Sequence, residues 1–369
     1  MAGKKAPAIW LNESIGNFQT NNNSLIIDQL LTEFNERLKK TELSWQQFHT
    51  DPNYYDFPYI NNYDYAEQAP IVNSTPKTTQ TNFVEYFSQL PSTNKFLLDM
   101  AVAYLKKTYT PHSNEDILIW VSLSSLDKIG HLYGPYAKEV IDMIYHLDYQ
   151  IEQFMKEVAQ IVPRQETLYV LTADHGIMPI PELAKKEHPD AKRINTKIIS
   201  AAINNEIKKN FGISDILIDD KIPHIYLNKK ITKNLSSPEK ERLLKAIQEQ
   251  LEQIPGIKRA YTNKELEEMR PQIGSYAWHL KNNIYPGRSG NLLLEIEPYV
   301  LMSKYKGGTK HNTPHPYNTH VPLILYQPTV YEHKTITQRV WMPQIAATLA
   351  KILEINSPSS QALPPLPIS

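Results

Sequence analysis

The feature that most constrains this chain is a pair of apolar runs separated by a long amphipathic stretch. Residues 117–123 read ILIWVSL and residues 167–174 read TLYVLTAD, each with the character of a buried strand. Between them, residues 136–160 repeat apolar side chains at helical spacing, with Val140, Ile144, Leu147, Ile151 and Phe154 on one face. Strand, long helix and strand in this order predict a crossover between parallel strands. The fold class expected is therefore α/β: a mainly parallel sheet with helices on its faces.

The rest of the chain is organised around that unit. Residues 1–90 are rich in Asn, Tyr, Pro and Thr, with one helical run near Leu25–Gln47 and an irregular stretch over 50–82. Residues 95–109 have helical periodicity. Residues 198–275 differ in character: HIYLN and IKRAYT read as short strands flanking a helix at 238–253, a small inserted α+β subdomain. After it, NLLLEIEP (291–298) and VPLILYQP (321–328) are expected to rejoin the main sheet, followed by a helix near Met342–Leu353. The expected division is a core over 1–197, the insertion over 198–275, the core continued over 276–357, and a flexible Pro-rich tail over 358–369. A chain of 369 residues suffices for one large domain with such a subdomain.

Composition narrows the chemistry. The formal net charge is zero, which gives no electrostatic reason to expect a nucleic-acid polymer as partner. There is no cysteine, so disulfides and thiolate metal sites are excluded. No segment reaches the roughly 18 apolar residues of a membrane helix. The N-terminus, MAGKKAPAIWLNES, has no apolar run behind its lysines and does not read as a secretory signal. If Met1 is the true start, the location expected is cytoplasmic.

Ligands of open parallel sheets bind beyond the carboxyl ends of the strands. After ILIWVSL, Asp127 and His131 stand four residues apart, on one face of a helical turn. After LYVLTA come Asp174, His175 and Gly176, the glycine allowing a sharp turn or a close backbone approach. Before VPLILY, the run GGTKHNTPHPYNTH carries His311, His315 and His320. Taken singly, each has a bland reading: a solvated helix face, a turn, a surface loop. All three at strand ends of one sheet point instead to a binuclear metal site of Asp and His ligands. No phosphate-binding glycine loop, dinucleotide fingerprint or nucleophile elbow competes with it.

At these residues the chain resembles the type I phosphodiesterase and PafA-like branch of the alkaline phosphatase superfamily. The segments carrying the resemblance are SLSSLDKIGHLYGP, LTADHGIMPIPE and GGTKHNTPHPYNTHVPLILY. AGKKAPAIWLNESIGNFQTN, PGRSGNLLLEIEP and PQIAATLAKILEINSP add to it, in the same order. It implies an α/β/α sandwich holding two zinc ions, with Asp127, His131 and His311 on one and Asp174 and His175 on the other. His311 is preferred to His315, which falls at the aromatic position of the family's H-G-T-P-aromatic pattern. Asn312 and Asn318 depart from it, standing where Gly and Asp are usual. The family's first strand with an Asp ligand, its Thr or Ser nucleophile and its Lys and Arg phosphate clamp precede the segment matched by AGKKAPAIW.

The resemblance thus implies a phosphate-ester hydrolase of the two-zinc type, on a monoester or diester. It also implies that this chain is truncated, with no nucleophile or clamp of its own and weak or no activity alone. An upstream-encoded N-terminal polypeptide, or self-association, is the expected partner, because a sheet lacking strands leaves edges unpaired and apolar faces bare. The family is often periplasmic or secreted. The alternative reading is a non-catalytic metal-binding remnant or interaction protein of the same fold.

Overall fold

The computed structural model describes residues 6–22, 24–57, 83–219, 221–328, 330–359 and 363–368. Most of the stretch expected to be irregular, 58–82, lies outside the described residues. The chain opens with strands β1 (Ile9–Asn12) and β2 (Asn17–Thr20), an antiparallel hairpin. Helix α1 (Leu25–Lys39) follows, capped by Ser24, whose hydroxyl accepts the Ile27 N–H. Ile27, Leu30, Phe34 and Leu38 repeat at helical spacing and are buried. The helix was expected to reach Gln47 and stops at Lys39. The residues beyond unwind to insert Trp45 into the core, where its indole N–H donates to the buried Asp142 carboxylate at 2.6 Å.

Helices α2 (Phe83–Phe87), α3 (Pro91–Thr108), α4 (Ser125–Tyr133) and α5 (Lys138–Val158) build a helical layer with α1. Phe34, Phe87, Phe96, Ile129 and Met143 share its core. In α5 the buried face carries Val140 and Met143, while Ile144 is exposed, against the stripe read from sequence. Asp142 accounts for the rotation. It is fully buried, accepts hydrogen bonds from Trp45, Tyr55 and the Phe48 N–H, and turns that side of the helix inward.

Beyond α5 lie β3 (Tyr169–Thr172), α6 (Pro181–Ala184) and β4 (Lys192–Ile194). Then come α7 (Lys197–Phe211), β5 (Leu217–Asp219), β6 (His224–Leu227), α8 (Lys229–Thr232), α9 (Ser237–Glu252) and β7 (Ile257–Thr262). They are followed by α10 (Asn263–Glu268), α11 (Tyr276–Asn282), β8 (Leu292–Ile296) and β9 (Val300–Met302). Last are α12 (Pro316–Thr319), β10 (Leu323–Tyr326) and α13 (Gln344–Ile352). No helix among the described residues is long and apolar enough to cross a membrane.

Three expectations change. First, residues 117–123 join no described ladder. Exposure alternates along 118–124 with the period of an extended strand, and Ile119 packs against the cluster of Val102, Leu105 and Val158. The segment has the side-chain pattern of a strand without the hydrogen-bonded neighbours. Second, β8 does not join β3. It pairs antiparallel with β6 and β7 in the sheet β5-β6-β8-β7, where Leu292, Leu294 and Ile296 are buried with α7 and α9 on one face and Leu293 with Leu266 and Leu280 on the other. β3 pairs antiparallel with β10, and the parallel pair among the described residues is β4 with β9. Third, the end of the chain is not a free tail over 363–368. Leu366 is buried, its N–H donates to Thr348 Oγ1 at 2.8 Å, and Gln344 Nε2 donates to the Pro364 carbonyl.

Candidate metal centre

Helix α4 carries the first two candidate ligands. Asp127 and His131 face the same side one turn apart, with His131 Nε2 3.5 Å from Asp127 Oδ1. The helix ends at Gly134, whose φ of 80° is left-handed and whose N–H closes on the Gly130 carbonyl.

The segment after β3 lies against α4: a Cβ on Gly130 would stand 3.1 Å from Ile177 Cδ1. It brings His175, whose Nε2 is 3.9 Å from Asp127 Oδ1 and 3.5 Å from Asp174 Oδ2. The turn at Gly176 is pinned by its N–H donating to the Asn318 carbonyl at 2.8 Å. A Cβ there would come within 2.3 Å of the Tyr317 carbonyl oxygen, so the position requires glycine.

The 307–320 loop delivers His311. Its Nε2 is 3.0 Å from His131 Nε2 and 3.6 Å from Asp127 Oδ1, and its ring stacks on His175 at 3.3 Å between centroids. His315 goes elsewhere: its Nε2 donates to the Ile296 carbonyl and its ring packs by Tyr276 and Tyr317. The two departures also find partners. Asn312 Nδ2 donates to the Ile222 carbonyl, and buried Asn318 donates to the Thr313 carbonyl and hydroxyl.

The electrostatics of this cluster favour a cation. Asp127 Oδ1 is buried and has no hydrogen-bond partner, though three imidazole nitrogens face it. Burial first, and then the neighbouring His175 and His131, push the His311 pKa down, favouring the neutral imidazole that ligates metal. His131 Nδ1–H donates to the Thr309 carbonyl at 2.7 Å and His175 Nδ1–H to the Gly176 carbonyl at 3.0 Å, which leaves each Nε2 lone pair turned to the cluster. Asp127, His131 and His311 offer donor atoms all within 4.8 Å of one another. Asp174 is 89 % exposed and stands at the open side of the group.

Two features of the site are missing from the sequence reading. A cavity of about 380 Å³ adjoins it, lined by His131 together with Glu13, Ser88, Gln89 and Lys128. Thr309 joins all three ligand segments: its N–H donates to the His131 carbonyl and its hydroxyl to the Met178 carbonyl. The glycine pair before it was visible in sequence, but nothing in spacing alone connects Thr309 to His131.

Residues 17–321 match the type I phosphodiesterase / nucleotide pyrophosphatase family. The chain belongs to that family. Among similar curated proteins, a protein named calcium-transporting ATPase from Myroides odoratus is 27 % identical over 79 % of this chain and 53 % of its own length. The alkaline phosphatase PhoD of Zymomonas mobilis is 26 % identical over 76 % of the chain and 50 % of its own length. The alkaline phosphatase PafA of Elizabethkingia meningoseptica is 24 % identical, covering 75 % and 50 %. A crystal structure of a PafA mutant superposes with a TM-score of 0.83 at 19 % identity, over 97 % of this chain and 69 % of that one. The fold is therefore the alkaline-phosphatase-like α/β fold. The chain spans about half the length of the first of these curated relatives.

Proposed function

We propose that this chain is the metal-binding part of a zinc-dependent phosphoric-ester hydrolase. The observation that carries the proposal is the spacing of Asp127 Oδ1, His131 Nε2 and His311 Nε2, separated by 3.5, 3.6 and 3.0 Å. Tetrahedral zinc with ligands at about 2.0–2.2 Å sets its donors roughly 3.3–3.6 Å apart. Three protein donors leave a fourth position for a substrate oxygen, the count of a catalytic site. The family and the alkaline phosphatases among its relatives support the phosphoric ester as substrate.

Zinc held there would supply Lewis-acid stabilisation of the charge that develops on phosphoryl and leaving-group oxygens. The chain's own residues do the positioning. Asp127 supplies the anionic donor, with no other partner competing for its Oδ1. The Thr309 and Gly176 carbonyls hold the His131 and His175 rings with Nε2 inward. The cavity beside His131 is lined by Ser88, Gln89 and Lys128, whose ammonium pairs with Glu13 at 2.8 Å in the same lining. Asp174 and His175 are the residues proposed for a second ion, which needs further ligands to be complete.

By its resemblance to the family, the attacking hydroxyl and the cationic clamp come from another segment, so the chain alone is expected to hydrolyse esters weakly or not at all. Exposed Leu118 and Trp120, on a strand-like segment that joins no ladder among the described residues, support an added strand-bearing polypeptide as the partner that completes the sheet.

The test is zinc stoichiometry by metal analysis after dialysis. p-Nitrophenyl phosphate and bis-p-nitrophenyl phosphate assays follow, with and without the polypeptide encoded immediately upstream. Bound zinc, with hydrolysis that appears only in the joined protein, is the result expected. A chain that retains no zinc, alone or joined, overturns the reading. Zinc binding without hydrolysis in either form would instead mark a non-catalytic remnant.

A further inference from the structure

Arg193 follows Asp174 and His175 in the chain but is far in sequence from Asp127, His131 and His311, and it carries no motif. It stands in β4 with a side chain only 10 % exposed. Its Nε and Nη2 donate to Glu182 Oε1 and Oε2 at 2.8 and 2.9 Å, a bidentate pair. The same guanidinium donates to the Gly307 carbonyl at 3.2 Å and the Gly308 carbonyl at 2.8 Å.

These contacts end beside the candidate metal centre. Gly308 has a φ of +66°, and a Cβ on it would lie 2.4 Å from the His131 carbonyl oxygen. The next residue, Thr309, donates its N–H to that carbonyl at 2.9 Å and accepts His131 Nδ1–H at 2.7 Å. Fixing two successive carbonyls fixes the peptide planes that lead into Thr309. The plane of the Thr309 carbonyl decides which ring nitrogen of His131 carries the proton and where its Nε2 points. Glu182, in α6, ties the same guanidinium to the segment that begins at Asp174 and His175.

We infer that Arg193 is a positioning residue for the metal centre, acting through Gly308 and Thr309 on the tautomer and aim of His131. The inference rests on the reading of Asp127, His131 and His311 as ligands. It adds a role for β4, through which the sheet of β4 and β9 is coupled to the metal loop. Lysine would not replace arginine here, because a point charge cannot span a carboxylate and two carbonyls at once.

The experiment measures zinc affinity by chelator competition, and the His131 tautomer by long-range proton–nitrogen NMR of the zinc-free protein. Wild type is compared with R193K, R193Q and the double variant R193M/E182M. The double variant removes both charges and so avoids leaving the partly buried Glu182 without its partner. Zinc affinity is expected to fall about 10–100-fold in all three, the usual effect of losing an outer partner of a ligand. The Nδ1–H tautomer of His131, dominant in wild type, becomes mixed. If R193Q fails to fold, the double variant carries the test. Unchanged zinc affinity together with an unchanged tautomer overturns the role of Arg193. A wild-type chain that binds no zinc overturns the site reading instead, and the tautomer measurement then still decides whether Arg193 positions His131.

Discussion

At the scale of single residues, the candidate centre depends on one carboxylate oxygen and two glycines. Asp127 Oδ1 is buried, has no hydrogen-bond partner and is faced by three imidazoles, an arrangement that a cation among them would satisfy. Replacing Asp127 with Asn should weaken zinc binding by more than about 100-fold, beyond the range for losing an outer hydrogen-bond partner. Isothermal titration against wild type checks this, and an unchanged affinity would remove Asp127 from the ligand set.

Gly308→Ala separates strain from collision. At Gly212 the φ is +67° and a Cβ would meet nothing, so alanine there costs only the left-handed penalty, about 1–2 kcal/mol. At Gly308 the φ is similar but the Cβ collides with the His131 carbonyl oxygen. Urea unfolding should therefore show a larger loss for Gly308→Ala than for Gly212→Ala, and only the former should lower zinc affinity. Equal losses with zinc affinity intact in both would mean that the loop yields without moving His131.

At the scale of elements, Asp142 pins the 45–55 connection to α5. Burial raises its pKa, but donors from His146, Tyr55, the Phe48 N–H and Trp45 outweigh burial and leave it below the usual carboxylate range. A carboxyl whose folded pKa lies below its unfolded value of about 3.9 stabilises the fold above that value and loses the contribution as pH falls through the folded pKa. Asp142→Asn keeps the volume, removes the charge and points an NH₂ at groups that are themselves donors. It should cost about 2–4 kcal/mol at pH 7, from hydrogen bonds to a charged group. The deficit should shrink as pH is lowered below the carboxylate range. Urea midpoints at neutral and acid pH measure it, and a deficit that does not vary with pH would contradict the charge argument.

What could be read from sequence at this scale follows from where the information lies. Helices α3, α5 and α9 declare themselves because their apolar spacing is local. The alternating contacts of 117–123 are local too, but a ladder needs a neighbour, and sequence does not say whether one stands alongside. β8 was misplaced for the converse reason. Its continuous burial suits the centre of any sheet, and only the helices that share its two cores, α7 and α9 on one face and α10 and α11 on the other, determine which. The Asp127–His131 pair follows from helical spacing alone. The meeting of His311 with it depends on Gly308, Thr309 and Arg193, whose contacts span more than a hundred residues of sequence.

At the scale of the whole molecule, apolar side chains stand in water on the strand-like segment 117–123 and on β3 and β10. Leu118 is 66 % exposed and Trp120 71 % on one side of the 117–123 segment, and Leu171, Ile324 and Tyr326 are exposed on the paired strands β3 and β10. Single exposed apolar residues are ordinary, but Leu118 and Trp120 stand on a strand-like segment that joins no ladder among the described residues, an edge that a further strand would pair. The relatives' chains run to about twice the matched length, so a strand-bearing polypeptide is the occupant proposed, with a second copy of this chain as the competing occupant. Leu118→Ser with Trp120→Gln should change folding stability by no more than about 0.5 kcal/mol, because both side chains already face water. It should abolish co-purification with the polypeptide encoded immediately upstream. Sedimentation velocity of wild type alone tells the two occupants apart: a monomer that pairs only with the upstream polypeptide fits the proposal, and a concentration-dependent dimer that the double substitution dissolves assigns the face to self-association. A wild-type chain that stays monomeric and pairs with neither removes the interface altogether.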